Sequence, residues 1–298
     1  MLDQRARDAL RRLEWQLRHR KVDSALGGGH RSIFRGRGME FDQVVKYAYG
    51  DDIRDVDWNV TARRGEPYRK IFVEEREMTV FVVVNDDPAL QFGSGAANKR
   101  DVLFELAGLT LMLAAVNRER AALLYVSPRG TTFVAPTRRR ARITEAVAEL
   151  FAAPAPDPTL RSRADFSPVL ARPAPRGALI VWFGEVPTDS APAAWAAMRR
   201  RHPVMGIRVE DEWERSGPMA KNFMAYDPAA DNLVWLNASP AVRARHAAWR
   251  AERERIWLSW WPDPSERLTV DAGADPLTAL TRFLRTRGPP RAIAANAS

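Results

Sequence analysis

The chain contains no cysteine. Disulfides, zinc–thiolate centres, iron–sulfur clusters and thiol nucleophiles are thereby excluded. Histidine is nearly as scarce: His19, His30, His202 and His246 are the only four, and no two stand at metal-ligand spacing. Without an H-E-x-x-H pair, the common zinc-hydrolase arrangement is also out. Long apolar runs are lacking too. The longest, Leu106 to Val116 (LAGLTLMLAAV), is too short to span a bilayer and fits a buried helix. The amino end, MLDQRARDALRRLEW, is charged from its third residue and has no apolar core. No secretory signal is expected, and a cytoplasmic location is the default.

What is present is ordinary in proportion. With 298 residues, 46% of them apolar and 28% charged, the chain can form one large domain, or one domain with an annex, and is not disordered as a whole. The net charge is +9, carried almost entirely by arginine. A basic balance favours nucleic acid, anionic lipid or an acidic protein as partner. Arginine in an alanine- and arginine-rich chain also reflects genomic base composition, so nucleic-acid binding stands as the alternative reading.

Periodicity places the elements. Leu2 to Arg20 reads as an amphipathic helix with Leu10, Leu13 and Leu17 on one face. Gly27 to Gly29 end it, and the stretch to Pro67, rich in glycine and aspartate, reads as turns with short pieces between them. Tyr68 to Glu74 alternates as a strand, and Val80 to Val84 is a continuous apolar run, as in a strand buried on both faces. A helix over Asn98 to Val116, strands over Ala121 to Val126 and Thr131 to Val134, and a helix over Arg138 to Phe151 follow. Next come a strand over Ala178 to Phe183, a helix over Ala191 to Arg201 and a strand over Val204 to Val209. Ser239 caps a long helix from Pro240 to about Trp260, and a strand (RLTVD) and a helix over Pro276 to Arg287 complete the chain. Buried strands alternating with helices predict an α/β fold, a parallel sheet covered on both faces.

Chemistry is harder to find. The glycines of RGRG (Arg35 to Gly38) follow no buried strand and lack G-K-[ST], and FGSG (Phe92 to Gly95) is not G-x-S-x-G. Asp51, Asp52, Asp55 and Asp57 read most simply as an Asp-rich turn. Their side chains would accept backbone N–H groups and pair with Arg54, Arg63 or Arg64, since Mg²⁺ sites rarely hold so many cations nearby. Trp58 reads as a core anchor for that turn. The first central strand runs into Asn85, Asp86 and Asp87, and the second ends at Gly184 and Glu185. Carboxylates at two strand ends suit either a divalent cation or the capping of the next helix, and the residues alone leave both readings standing.

The segment GGHRSIFRGRGMEFDQVVKYAYGDDIRDVDWNVTARRGEP (Gly28 to Pro67) then decides the resemblance. It resembles domain-of-unknown-function family 58, whose hallmark runs G-x-H-x-S/G, G-x-G-x-E-F and Y-x-x-G-D-D-x-R-x-I-D-W. His30, Arg31, Ser32, Gly36, Gly38, Glu40, Phe41, Tyr47, Gly50, Asp51, Asp52, Arg54, Asp57, Trp58 and Asn59 match it, and the likeness continues to the carboxyl end. The resemblance implies a von Willebrand factor A-like, Rossmann-like sandwich over residues 77–290. The N-terminal helix and a signature annex would occupy residues 1–76. It also implies a non-enzymatic, chaperone-like role beside a MoxR-type AAA+ ATPase, in maturing a client protein. One branch serves methanol oxidation, which makes methanol dehydrogenase the narrower client expectation. The signature's candidate partner-binding residues are His30, Arg31, Arg35, Asp51, Asp52, Arg54, Asp57 and Trp58.

Such domains often carry a metal-ion-dependent adhesion site, and this sequence departs from it. The D-x-S-x-S pattern falls on Asn85 to Ala89, with Asn85 for the aspartate and Asp87 and Ala89 for the serines. The Thr-Asp position reads Ala164-Asp165, and the later Ser-Asp reads Gly184-Glu185. Most hydroxyl ligands are missing, so no cofactor and no tightly bound divalent ion are expected. A rearranged Mg²⁺ or Ca²⁺ site would draw on Asp87, Asp165 and Glu185.

Overall fold

The computed structural model describes residues 4–19, 37–75, 79–160, 174–175, 178–217, 222–227 and 232–287. The chain divides into two compact units, one formed by Arg35–Met78 and the other by Met1–Phe34 together with Thr79–Ser298. The first helix, α1 (Gln4–His19), thus precedes the smaller unit in the chain but belongs to the larger one.

The smaller unit is a two-stranded ribbon closed by turns. Strand β1 (Arg37–Lys46) pairs antiparallel with β2 (Tyr68–Glu75), and helix α2 (Trp58–Arg64) lies between them in sequence. Glycine and aspartate in 37–46 suggested turns rather than a strand. The ribbon absorbs them as irregularities: Arg37 and Gly38 both face Glu75, and the register shifts again across Asp42, between Phe41 and Gln43. Such bulges let a strand carry a residue that pairs with nothing. Asp57 caps α2 by accepting from the amides of Asn59 and Val60. Gly65, at φ 74°, ends it in the left-handed conformation that only glycine adopts cheaply.

The larger unit is built on six strands. They are β3 (Thr79–Asn85), β4 (Arg120–Ser127), β5 (Gly130–Thr137), β6 (Leu179–Phe183), β7 (Val204–Glu210) and β10 (Arg267–Asp271), in the order β10-β7-β6-β3-β4-β5. All pairings are parallel except the β4–β5 hairpin at one edge. Crossovers run through α3 (Lys99–Val116), α4 (Arg140–Ala152), α5 (Ala193–Arg201) and α7 (Pro240–Trp260), with α8 (Pro276–Arg287) last. Helix α6 (Glu212–Ser216) and the antiparallel hairpin β8 (Asn222–Asp227)–β9 (Asn232–Asn237) fill the stretch before α7. The fold is therefore a mostly parallel α/β sheet flanked by helices.

Two cores hold it. On one face Phe81, Val83, Ile180 and Trp182 meet Trp195 of α5 and Trp257, Trp260 and Trp261 at the end of α7. Burying each such side chain is worth about 1.5–3 kcal/mol. Gly206 makes room for the indoles: a Cβ there would stand 2.4 Å from Cε2 of Trp261. On the other face α3 is buried from Lys99 to Ala114 apart from Asp101. Helix α1 lays Ala6, Ala9, Leu10, Leu13 and Leu17 against α3 and α4. Leu13 reaches the surface of α3 at Gly108, where a Cβ would stand 2.9 Å from its Cδ1. The buried Gln16 donates to Glu105 at 2.8 Å, and Arg12 pairs with the same carboxylate at 3.1 Å. Helix α1 and the signature segment, expected together over 1–76, thus fall in different compact units. The apolar stripe of α1 finds its partners in α3, about 90 residues later, and in the still later α4, a pairing that local sequence does not announce.

Candidate functional site

The strand order creates a switch point between β3 and β6. From β3 the chain builds outward through β4 and β5, then returns and builds the other way through β6, β7 and β10. Ligands of open parallel sheets bind outside the carboxyl ends of the strands at such a point. Asn85 at the end of β3, Asp86 and Asp87 just after it, and Glu185 after β6 stand there, all buried.

Their partners come from the first turn of α3. Asn98 caps that helix by accepting from the Asp101 amide at 2.8 Å, and the next two residues are Lys99 and Arg100. Cations at a helix N-terminus oppose the helix dipole, so both need strong compensation. Lys99, only 1% exposed, donates to Glu185 at 2.6 Å and to Glu214 of α6 at 2.7 Å. Arg253 of α7 is the second cation on Glu185, and the Val186 amide donates to the same carboxylate at 2.9 Å. Arg100 grips Asp86 through two bonds of 2.8 Å, while the Tyr125 hydroxyl donates to Asp86 at 2.7 Å. Alongside, Asp211 accepts from the Ser94 hydroxyl at 2.5 Å and from the amides of Ser94 and Trp213, each at 2.8 Å.

The electrostatics move the titrations of these groups away from neutral pH. Burial alone would lower the pKa of Lys99, but the charges of Glu185 and Glu214 outweigh it and hold the ammonium above the usual lysine range. Burial would raise Glu185, yet Lys99 and Arg253 pull its carboxyl well below the usual range. Burial and the Asp86 carboxylate push Tyr125 up to about 12. Burial opposes ionisation of Asp211, but the bonds from Ser94 and Trp213 prevail and lower it. A general acid or base works best with a pKa near the operating pH. This arrangement does the opposite and is suited to holding charge in place.

Of the expected metal positions, Asp87 caps the turn Pro88–Gln91 by accepting from the Ala89 amide at 2.9 Å, and Ala89 offers only a methyl group. Glu185 is taken up by two cations, and Asp165 lies outside the described residues. Among the described residues no cluster of three or more His, Asp or Glu side chains is arranged to hold a metal ion. Lys99, Arg100, Tyr125, Asp211, Glu214 and Arg253 were not anticipated. One signal existed: two adjacent cations opening an apolar helix are out of place unless carboxylates face them. Lysine itself is uncommon here, with five in the chain.

His30, Arg31 and Arg35 of the signature lie outside the described residues. The rest form the Asp-rich turn, with backbone bonds from Ala48 to Asp51 and from Arg54 to Asp52, both 2.9 Å. The ion pairs differ from expectation. Asp51 meets Arg69 at 2.9 Å and Asp57 meets Lys70 at 3.5 Å, because β2 runs beside the turn. The larger correction is Trp58, which is no core anchor. It is 67% exposed, and Tyr49 and Ile53 nearby in sequence are exposed as well.

Together these features define a mostly parallel α/β protein whose strand-end crevice is closed by its own charged side chains, joined to a small unit bearing exposed aromatic residues. The chain belongs to the family described as Protein of unknown function DUF58, whose model matches residues 43–255. It is 28% identical over 292 residues to uncharacterized proteins of Mycobacterium tuberculosis and Mycobacterium bovis, covering 94% of this chain and 89% of theirs. Among solved structures it is similar to the conserved hypothetical protein BatB from Bacteroides thetaiotaomicron. That match has a TM-score of 0.44 and 9% identity, and covers 70% of this chain and 98% of that one. A second, to an uncharacterized membrane spanning protein from Vibrio fischeri, has a TM-score of 0.24 at 10% identity, covering 72% and 100%. Among the described residues no helix is long and apolar enough to cross a membrane.

Proposed function

We propose that the chain is a non-enzymatic accessory protein. It partners a MoxR-type AAA+ ATPase in the maturation, or the metal or cofactor loading, of a client protein. The observation that carries this reading is the Lys99 centre. In a von Willebrand factor A-like domain that end of the sheet would hold a divalent ion. Here an ammonium stands among the carboxylates, and Lys99 and Glu185 are both shifted away from the range useful for proton transfer. Recognition then falls to surfaces. Exposed Tyr49, Ile53 and Trp58 beside Arg54 have the aromatic and arginine composition of binding hot spots. A net charge of +9 would speed encounter with an acidic partner.

The test is capture of a MoxR-type ATPase from the same genome by the full chain, at low and at moderate salt. Capture is expected, and the double substitution Tyr49→Ala/Trp58→Ala should abolish it while leaving the melting temperature unchanged. No capture by the unsubstituted chain at either salt would remove the reading. Methanol dehydrogenase is the narrower proposal for the client. Deletion of the gene should then lower active, metal-loaded dehydrogenase, and unchanged activity would end that part alone.

A further inference from the structure

Helix α7 is buried only toward its carboxyl end, at Ile256, Trp257 and Trp260. Upstream, Arg243, His246, Ala247, Arg250, Ala251 and Glu254 recur every three or four residues and so share one face. That face, the last two residues of α6 (Arg215 and Ser216) and the capping Gly217 line a cleft of about 390 Å³. Gly217 sits at φ 71°, and a Cβ there would stand 2.9 Å from Nδ1 of His246, so the imidazole lies directly against the bare backbone. The Trp213 and Trp249 rings flank it, each 5.4 Å away.

The lining is rich in donors and poor in free acceptors. Arg243 donates one bond to the Ala238 carbonyl at 2.8 Å, and Arg250 one to the Arg215 carbonyl. Neither has a carboxylate partner among the described residues, and each guanidinium carries five N–H donors. Nε2 of His246 is buried without a hydrogen-bond partner among the described residues, and Ser216 adds a hydroxyl to the lining. The nearby acids are already engaged: Glu254 with Arg208 at 2.5 Å, and Asp271 with Arg215 at 2.7 Å.

We propose that this cleft binds the phosphoryl group of a small molecule. One guanidinium satisfies a carboxylate's two oxygens. Two arginines seven residues apart, their backbone positions separated by about 10.5 Å along the helix, with the Ser216 hydroxyl nearby, supply more donors than a carboxylate can accept. A phosphoryl or diphosphoryl group, with three or more oxygens, uses them. This site is separate from the Lys99 centre and does not rest on the accessory-protein reading.

The test is calorimetric titration of the full chain at constant ionic strength with pyrophosphate, inorganic phosphate and citrate. Saturable one-to-one binding of pyrophosphate is expected, with inorganic phosphate weaker and citrate weaker still. Arg243→Gln/Arg250→Gln should weaken pyrophosphate binding at least about tenfold, as loss of charge-assisted bonds implies. Arg142→Gln, on a distant exposed helix face, should leave it unchanged. Each cleft arginine makes one bond to a backbone carbonyl and none to a carboxylate among the described residues, so the double variant should melt near the parent temperature. Arg243→Lys/Arg250→Lys, which keeps the charge but not the fork, should bind with intermediate strength. No saturable heat with pyrophosphate, undiminished binding in the Gln variant, or citrate binding as tightly as pyrophosphate would each overturn the assignment.

Discussion

Lys99 is the residue on which the strand-end centre turns. It serves the buried Glu185 and the part-buried Glu214 at once, so replacing it by methionine keeps the volume and leaves both carboxylates short of a cation. Breaking a buried pair in this way costs about 3–5 kcal/mol, and Lys99→Met should show a loss of that size by denaturant titration at pH 7. The pH dependence has a definite sign. The Glu185 carboxyl is held below its ordinary value of 4.5, so its pairing stabilises fully above that pH and is lost as the pH falls through the lower folded value. The difference between parent and variant should therefore shrink in acid. At the other end Lys99 is held above its ordinary 10.5, so its contribution persists to that pH and fades only as the pH rises through the higher folded value. A constant difference from pH 7 to pH 3 would mean that the pair does not carry the effect. Titration with Mg²⁺, Mn²⁺ and Ca²⁺ is expected to show no micromolar site. Micromolar binding abolished by Asp87→Ala would restore a metal-bridged mode of recognition.

Among elements, β7 shows how little tolerance the indole layer has. Gly206→Ala would set a methyl 2.4 and 2.5 Å from two atoms of Trp261 and 2.8 Å from Trp257. Overpacking of this kind costs about 1–3 kcal/mol, and the upper end is expected because both neighbours are ring atoms within a packed core. Trp261→Leu in the same chain should recover part of the loss, measured as non-additive unfolding free energies. The elements also show what could be read in advance. β3, β6 and α3 were plain, because burial on every side leaves unbroken apolar runs. β8 and β9 were not anticipated, since their apolar residues face outward: Met224 opposes Trp235 and Tyr226 opposes Leu233, and all four are exposed. A strand that buries nothing on that side leaves no inward-facing pattern. At the site, Asp86 and Glu185 were visible as strand-end carboxylates. Arg253, 68 residues from Glu185, had no local mark, because only the fold brings the two together.

At the scale of the molecule, the smaller unit interrupts the larger one in sequence, and the ribbon determines how. Arg37 on β1 lies across from Glu75 on β2, so the chain enters and leaves the Arg35–Met78 unit at neighbouring points. Strands paired in this way lie about 5 Å apart, a gap that a few glycines and serines can bridge. The signature is thus a cassette in the topological sense, removable without opening the sheet that surrounds it in sequence. A chain in which residues 38–74 give way to a short Gly-Ser linker should keep the cooperative melt of the sheet unit while losing capture of the ATPase. If the sheet unit no longer melts cooperatively, the inserted segment also directs the folding of its host. The same geometry has a mechanical side: tension applied to this unit from outside would reach the host through two adjacent strand ends and load the ladder rung by rung. The ribbon would then open as a zipper, the smaller unit unravelling from its own chain ends inward.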